Sequence, residues 1–556
     1  MQPIRSIPLP VRALFNRPIS RATFNLAFSA FLVLFYNDSL WQLMLSIVEP
    51  DSLYNIAILA AFMLFIVMVL NLLMSLFISA RAHKAFAIFL VLSAASISYF
   101  MDAYNIMIDK SMVQNAFETD AREVSELVTA GLVLTLVIKG LLPAAIIFAI
   151  RIKRRPLIQE LKAGILAAIA SLILAMLVIG SFYKDFSLIF RENRQIRYLI
   201  TPTNYLYYSL RHLSGAYTPQ DKPLTTIAED AAVNPRWTAI DGQKPLLTMV
   251  IVGETARAQN FSLNGYVRKT NPVLANLDVI NFSNVTACGT STAISVPCMF
   301  SDKPRDGFDV DNARFRENLM DIFKRVGFNL HWRENNSGCK GVCERIPTFK
   351  QIDFSASRWC EGVDCFDEAM LYQLDKALKP NKQNTVLTLH QLGSHGPAYN
   401  KRYPKGFEQF SPVCEQRDVS TCSREEISNG YDNSILYTDY LIGEAINFLK
   451  RHADRYDTNL IYVSDHGESL GENGLYLHGL PWFLAPAEQT QVPMVAWFSE
   501  NYANRFALDR ECINKRAVQP ASHDNLFHSL LGLMGVETTA YNKNLDLFKP
   551  CLGAAT

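Results

Sequence analysis

No cysteine occurs in the first 287 of the 556 residues, although the chain carries ten. Charge is scarce in the same region: between Asn25 and Ala80 only Asp38, Glu49 and Asp51 are charged. Over the whole chain charged residues make up 19%, against the roughly 25% of an ordinary soluble protein. The formal net charge is +1, and there is neither an internal repeat nor a low-complexity tract. These absences exclude a disordered chain, a small disulfide scaffold and a protein drawn to nucleic acid by its charge. What the chain does have is 49% hydrophobic residues, gathered toward the front. Single cores stop growing near ~250–300 residues, so more than one domain is expected. An apolar, cysteine-free front and a polar, cysteine-bearing back describe a membrane module joined to an exported domain.

A helix needs about 20 apolar residues to cross the hydrocarbon layer. Five stretches qualify: 24–47, 54–80, 85–101, 127–150 and 163–183. Buried soluble helices are the alternative, and five in succession between polar loops argue against it. No small-residue cleavage site accompanies the first stretch, which reads as a retained span. Arg5, Arg12, Arg17 and Arg21 precede it. Arg81 and Lys84, then Arg151, Lys153, Arg154, Arg155 and Lys162, fill the loops on the same side. The alternate loops carry Glu49, Asp51, Asp109, Glu118, Asp120, Glu123 and Glu126. By the positive-inside rule the N-terminus is cytoplasmic and everything after about Asp185 lies outside. Lys139, in the fourth span before Pro143, reads either as a functional charge or as a snorkelling or packing residue.

The expected organisation is a transmembrane domain over 1–184, a connector over 185–243 and a catalytic domain over 244–556. The connector is aromatic and basic, suited equally to an amphipathic segment on the outer membrane face and to a plain linker. Cys288/Cys298, Cys339/Cys343, Cys360/Cys365 and Cys414/Cys422 fall in close pairs, leaving Cys512 and Cys551. Such pairs on an exported domain read as local disulfides. Zinc ribbons are the rival reading, against which the spacings are irregular.

After Pro245 the pattern becomes α/β. Residues 246–252, 386–389 and 460–463 are short apolar runs of the kind that form strands buried on both faces. Helical patterns intervene at 317–326, 366–378 and 434–452. Each strand ends in chemistry: Gly253-Glu254-Thr255, then His390 followed by Gly393-Ser394-His395-Gly396, then Ser464-Asp465-His466-Gly467-Glu468. In open α/β sheets the ligand crevice lies at the carboxyl ends of the strands. Carboxylates with imidazoles are a donor set that Zn²⁺ accepts. An Asp-His pair alone is more often a helix cap beside a surface histidine; three such strand ends in one domain favour a metal site. His478 would be a further ligand or a phosphate contact. His83, His212, His331, His452 and His528 have no such context, and His523 is left unassigned.

Residues 287–300 read ACGTSTAISVPCMF and offer Thr290, Ser291 and Thr292 between two cysteines. A metal beside such a hydroxyl would lower its pKa and make it a nucleophile. An ordinary Ser/Thr loop or helix cap is the alternative.

GETAR at 253–257, CGTSTAISVPCMF at 288–300, NNSGCKGVC at 335–343, GSHGP at 393–397 and SDHGESLGENGLYLHG at 464–479 together resemble the lipid A phosphoethanolamine transferases. These enzymes belong to the alkaline phosphatase/sulfatase superfamily and include those that confer polymyxin resistance. The resemblance implies an N-terminal five-helix transmembrane domain in the bacterial inner membrane and a C-terminal periplasmic α/β domain of alkaline phosphatase/sulfatase type. It implies Glu254, Asp465 and His466 as zinc ligands and Thr292 as the nucleophile, itself on the metal. His395 and His478 would stand near the transferred phosphoryl group, where a second zinc is sometimes found. Ser337 and Lys340 would hold the donor's head group. Asn115, Thr119 and Glu123 would lie over the active site, with Glu123 accepting the ethanolamine ammonium; from the residues alone that loop reads as a solvated acidic helix.

The implied reaction takes phosphoethanolamine from phosphatidylethanolamine to a phosphate of lipid A through a phosphothreonine, which lowers the negative charge of the outer membrane. Core sugars of lipopolysaccharide are the alternative acceptor. A sulfatase is disfavoured, because residues 288–292 are not the Cys/Ser-x-Pro-x-Arg segment that yields formylglycine. A membrane sensor or transporter would need neither Thr292 nor the Glu/Asp/His set.

Overall fold

Capping residues and breaks, more than apolar content, decide where the membrane helices of this chain begin and end. The computed structural model describes residues 18–76, 80–119, 121–153, 155–216, 222–238, 243–346, 358–361, 364–378 and 383–553. Arg5, Arg12, Arg17, Asp120 and Arg154, residues 77–79 of the second expected span, and 217–221 and 239–242 of the connector lie outside them. Two units are distinguishable, Met1–Lys110 with Val128–Arg211, and Ser111–Leu127 with His212–Thr556.

Among the described residues of the first unit, four helices are long and apolar enough to cross a membrane: Leu53–Ser75, Ala82–Tyr104, Ala130–Ala149 and Leu157–Ser181. The stretch expected as one span over 24–47 is instead a pair, Arg21–Phe35 and Asp38–Ile47, bent by 70°. It makes a fifth crossing if the pair acts as one span. Ser20 caps the first member, its Oγ accepting from the Thr23 N–H at 3.1 Å. Asn37 ends it: the buried amide donates to the carbonyls of Leu32 and Thr201, each at 3.0 Å, and accepts from the Thr201 N–H at 2.7 Å. These bonds tie the end of the helix to the backbone of Thr201.

The fourth expected span contains a π-helical turn, Leu136–Leu141. Pro143 has no N–H to give the carbonyl of Lys139 four residues back. That carbonyl accepts instead from the Tyr36 hydroxyl. The Lys139 side chain is ion-paired, its Nζ 2.9 Å from Asp38 Oδ2. The connector begins as helices Tyr183–Glu192, Ile196–Leu199 and Thr203–Ala216. In the first of these Phe186 and Ile189 are buried while Tyr183 and Leu188 are exposed.

The second unit is built on a seven-stranded sheet of β1 (Leu246–Gly253), β2 (Ile280–Thr286), β3 (Asn329–Glu334), β4 (Thr385–His390), β5 (Asp457–Ser464), β6 (Gln491–Phe498) and β7 (Ala521–Ser522). The order across the sheet is β7-β2-β6-β5-β1-β4-β3. Strands β5, β1, β4 and β3 are parallel neighbours, and β6 runs antiparallel to both β5 and β2. Every residue of β1, β4 and β5 is buried, as their continuous apolar character requires. The parallel register aligns Gly253 with Ser464 and Val252 with His390, so three strands end along one edge.

Two helical expectations differ from the structure. Arg424–Arg451 starts ten residues before 434, because Ser423 and Glu426 form a reciprocal capping box. Residues 366–378 form two 3₁₀ turns, Asp367–Leu371 and Leu374–Ala377, separated by Gln373 at φ 53°, which no right-handed helix continues. All ten cysteines are paired: Cys288–Cys298, Cys339–Cys343, Cys360–Cys365, Cys414–Cys422 and Cys512–Cys551.

Candidate active site

Adjacent parallel strands β1 and β5 end side by side and deliver Glu254, Asp465 and His466 to one point. The Asp465 N–H bonds the carbonyl of Gly253 at 2.9 Å, which extends the ladder by one residue. His466 Nε2 lies 3.4 Å from both Glu254 Oε1 and Asp465 Oδ2. Two glycines allow this approach. Gly393 sits at φ +55°, and a Cβ there would come within 2.6 Å of the Glu254 carbonyl oxygen. One on Gly467 would meet the Glu488 carbonyl oxygen at 2.0 Å.

Thr292 reaches the same point from the other side. It opens the helix Thr292–Met299, whose last turn is tied to the preceding loop by the Cys288–Cys298 disulfide. Its Oγ1 lies 3.0 Å from Glu254 Oε2 and 3.3 Å from His466 Nε2. Four groups from three segments thus converge, all of them buried.

The cluster has an excess of acceptors. Asp465 Oδ1 is occupied by the N–H groups of Thr255 and His466, at 3.2 and 2.7 Å, but its buried Oδ2 has no hydrogen-bond partner. His466 Nδ1 is 3.0 Å from the Gly467 carbonyl, which places the proton on Nδ1 and turns the Nε2 lone pair toward the carboxylates. Burial, with the Asp465 charge adding to it, holds the Glu254 carboxyl well above the usual carboxylate range. Burial also pushes the His466 imidazole below its ordinary value, keeping it neutral. A dry site with two carboxylates, an imidazole lone pair and a hydroxyl fits a divalent cation, and the ligand atoms of Glu254, Asp465 and His466 lie within 4.8 Å of one another.

Around this core stand the other predicted residues. The rings of His478 and His466 are 4.4 Å apart, and those of His478 and His395 are 5.3 Å apart. His478 Nδ1 is held by Glu468 Oε2 at 2.7 Å. Burial works against protonating His478, but the Glu468 carboxylate outweighs it and raises the pKa. Ser337 and Lys340 meet each other, Nζ to Oγ at 3.1 Å.

The segment 111–127 packs within this same unit. Glu118 pairs with Lys340 at 3.3 Å, and Glu123 Oε1 is 3.7 Å from His395 Nε2. Glu126 pairs with Arg402, whose Nε donates to the His395 carbonyl at 2.6 Å. Asn115 accepts at its carbonyl from Thr119 Oγ1, 2.8 Å. Among the described residues neither of these two bonds the carboxylate–histidine cluster.

Three residues of the site escaped the sequence reading. Asn336, one position before Ser337, donates from Nδ2 to Glu254 Oε2 at 2.6 Å and to the Gln391 carbonyl at 2.8 Å. Glu468 bridges His478 and the Tyr399 hydroxyl, the latter at 2.8 Å. His523 links the loop that precedes Thr292 to the end of β5. Its Nδ1 accepts from the Cys288 N–H at 3.0 Å, and its Nε2 donates to the Ser464 carbonyl at 2.9 Å. Burial pushes its pKa down to about 4, so the neutral ring keeps both bonds.

This fold and site define a sulfatase-type domain, and the family model described as Sulfatase matches residues 247–536. A second model, described as Phosphoethanolamine transferase EptA/EptB, matches residues 66–217. Phosphoethanolamine transferase EptA of Salmonella typhimurium is 40% identical over 551 residues, 97% of this chain and 99% of that protein. Phosphatidylethanolamine transferase Mcr-1 from Escherichia coli is 40% identical over 424 residues, 74% of this chain and 78% of that protein. The solved integral membrane protein lipooligosaccharide phosphoethanolamine transferase A from Neisseria meningitidis superposes with a TM-score of 0.90 at 33% identity, covering 96% of this chain and all of that one. The chain belongs to the EptA/EptB family of phosphoethanolamine transferases.

Proposed function

We propose that this protein transfers phosphoethanolamine from phosphatidylethanolamine to a phosphate of lipid A. The observation that carries the reading is Thr292 Oγ1, buried and within 3.0–3.3 Å of Glu254 and His466 in a cation-fitting cluster. Zn²⁺ is the cation we assign, held by Glu254, Asp465, His466 and Thr292. When bound it lowers the pKa of the threonine hydroxyl and offsets charge on the phosphoryl oxygens.

Thr292 Oγ1 loses its proton to solvent and attacks the donor phosphorus, and the bond from phosphorus to the glycerol oxygen of diacylglycerol breaks. His478, held by Glu468, or its neighbour His395 gives a proton to the departing oxygen. The phosphothreonine then yields to a phosphate oxygen of lipid A: the new P–O bond forms, the bond to Thr292 breaks with a solvent proton returning to its oxygen, and the same histidine recovers a proton from the attacking phosphate. Ser337 and Lys340 face the donor's phosphate end. Asn115, Thr119 and Glu123 form the wall that receives its ammonium, with Glu123 as counter-ion. Donor and acceptor are both lipids, which accounts for a catalytic unit carried on membrane helices. In this reading residues 1–184 are a five-span inner-membrane domain with a cytoplasmic N-terminus, 185–243 connect, and 244–556 work in the periplasm. Added ethanolamine lowers the negative charge of the outer membrane and the binding of polymyxin-like cations.

The test uses the purified full chain and fluorescent phosphatidylethanolamine. Diacylglycerol release and a Thr292 peptide heavier by phosphoethanolamine are expected, and Thr292→Ala should lose both. Release from Thr292→Ala at the wild-type rate would refute the nucleophile. Mass spectrometry of lipid A from expressing cells reads the acceptor.

A further inference from the structure

Directly after Glu254 the chain bends through Thr255, whose backbone sits in the left-handed region at φ 52°. A β-branched residue crowds its own backbone there, so the conformation persists only where surrounding groups impose it. Three side chains do so. The Thr255 N–H donates to Asp465 Oδ1 at 3.2 Å, and the Ala256 N–H donates to Ser464 Oγ at 2.8 Å. The third is Tyr431, on the helix Arg424–Arg451, which the reaction above leaves without a role. Its hydroxyl donates to the Thr255 carbonyl at 2.7 Å and accepts from the Arg257 N–H at 2.9 Å. One phenol oxygen therefore clasps the turn on both sides of Ala256. The whole side chain is buried, so water cannot take over either bond.

The ring of Tyr431 is itself held in place. It lies edge-on to Tyr399, with centroids 5.5 Å apart, and the Arg257 guanidinium is 5.6 Å from its centre. Both neighbours also bond Glu468, Tyr399 at the carboxylate (2.8 Å) and Arg257 at the carbonyl (3.1 Å), and Glu468 in turn holds His478. The phenol is thus fixed by the same groups that fix the histidine, and it spends its hydroxyl on the turn behind Glu254. We propose that Tyr431 is a positioning residue for the transfer: its hydroxyl keeps Thr255 left-handed and so aims Glu254 at Asp465, His466 and Thr292. It acts through the backbone of residues 255–257 and touches no substrate. This rests on the reading of the cluster as a zinc-dependent transfer site, given above.

The test compares four full-length proteins: wild type, Tyr431→Phe, Thr255→Gly and the double variant. Each is read by diacylglycerol release from fluorescent phosphatidylethanolamine and by zinc retention against a competing chelator. Tyr431→Phe keeps the ring and removes only the hydroxyl. It should lower kcat ~10-fold or more at unchanged KM and lose zinc at a ~10-fold lower chelator concentration, as expected when a group that orients a metal ligand is removed. Glycine adopts a left-handed backbone without steric cost. In the Thr255→Gly background the same substitution should therefore change either reading by about twofold or less. A hydroxyl that only stabilised the fold would cost as much in both backgrounds. Equal losses in the two backgrounds, or a Tyr431→Phe protein within about twofold of wild type in both readings, would overturn the assignment. If Tyr431→Phe does not fold, Thr255→Val carries the test. It keeps the β-branch but removes the 2.9 Å bond from Thr255 Oγ1 to the Glu254 carbonyl, loading the same turn with Tyr431 intact. Its kcat and zinc retention should fall together, and wild-type values for both would overturn the control of Glu254 by this turn. Wild type that binds no zinc or releases no diacylglycerol would instead overturn the proposed function.

Discussion

The membrane unit and the carboxylate–histidine cluster of the second unit hold ionisable groups in opposite ways. In the membrane unit Arg21 meets Glu160 at 3.4 Å and Lys139 meets Asp38 at 2.9 Å, so each of these charges is neutralised where it stands. In the catalytic unit Glu254 and Asp465 converge on a neutral imidazole with no cationic side chain in the cluster, and Asp465 Oδ2 is left without a hydrogen bond. Burial makes an unpaired charge costly, so it persists only where something else supplies the opposite sign. A paired buried charge is thus architecture, and a clustered like charge is a socket.

Removing one carboxylate tests that distinction most severely. Glu254→Gln should retain little zinc by elemental analysis, and its diacylglycerol release should fall on the order of 10³-fold. After chelation the same variant should be more heat-stable than chelated wild type, by about 1–2 kcal/mol, because the mutual repulsion is gone. If the chelated variant is the less stable of the two, the cluster is not strained and the contrast between the units fails.

The next largest effect is expected at His523. His523→Leu leaves the Cys288 N–H and the Ser464 carbonyl buried without partners, a loss of about 2–4 kcal/mol in urea unfolding. His523→Asn, whose amide oxygen can still accept from Cys288, should recover part of it. Identical losses in both variants would mean that the ring fills space and does not tie the nucleophile loop to β5. Replacing Cys288 and Cys298 together by serine should cost about 2–3 kcal/mol, judged from the short loop they close; a smaller loss would show that the helix holds its position without the tie.

The membrane unit should yield the smallest effect. Lys139→Met breaks a partly exposed ion pair and should lower the melting free energy in detergent by about 1 kcal/mol or less. Adding Asp38→Asn should restore it. Donor cleavage should stay within twofold of wild type, and a large loss would show that Lys139 serves more than architecture.

The strand ends were legible in the sequence because both their apolar runs and the polar residues that stop them are local. Glu254, Asp465 and His466 could each be picked out without knowing the fold, whereas choosing Thr292 over Thr290 and Ser291 took the family resemblance. The start of the helix Arg424–Arg451 was missed by ten residues, although Ser423-x-x-Glu426 is a capping-box pattern that marks it. Local periodicity misled over 366–378, where the buried Asp367 carboxylate binds the N–H groups of Leu392 and Gly393, both at 2.9 Å, and shapes the chain around a loop it meets only in the fold. His523 and Asn336 were unreadable for the same reason: their partners lie 235 and 82 positions away. The 70° bend at Asn37 likewise depends on Thr201, which no window around residue 37 contains.

The disulfides bear on how such a chain is made. Four of the five close loops of only 4 to 10 residues, and the fifth spans 39. Eight cysteines admit on the order of a hundred pairings, yet each of these four meets its proper mate first, simply because the mate emerges next. Oxidation can therefore proceed segment by segment as the polypeptide is extruded, before the sheet exists to align anything. Only the last bridge must wait, because 39 residues separate Cys512 from Cys551.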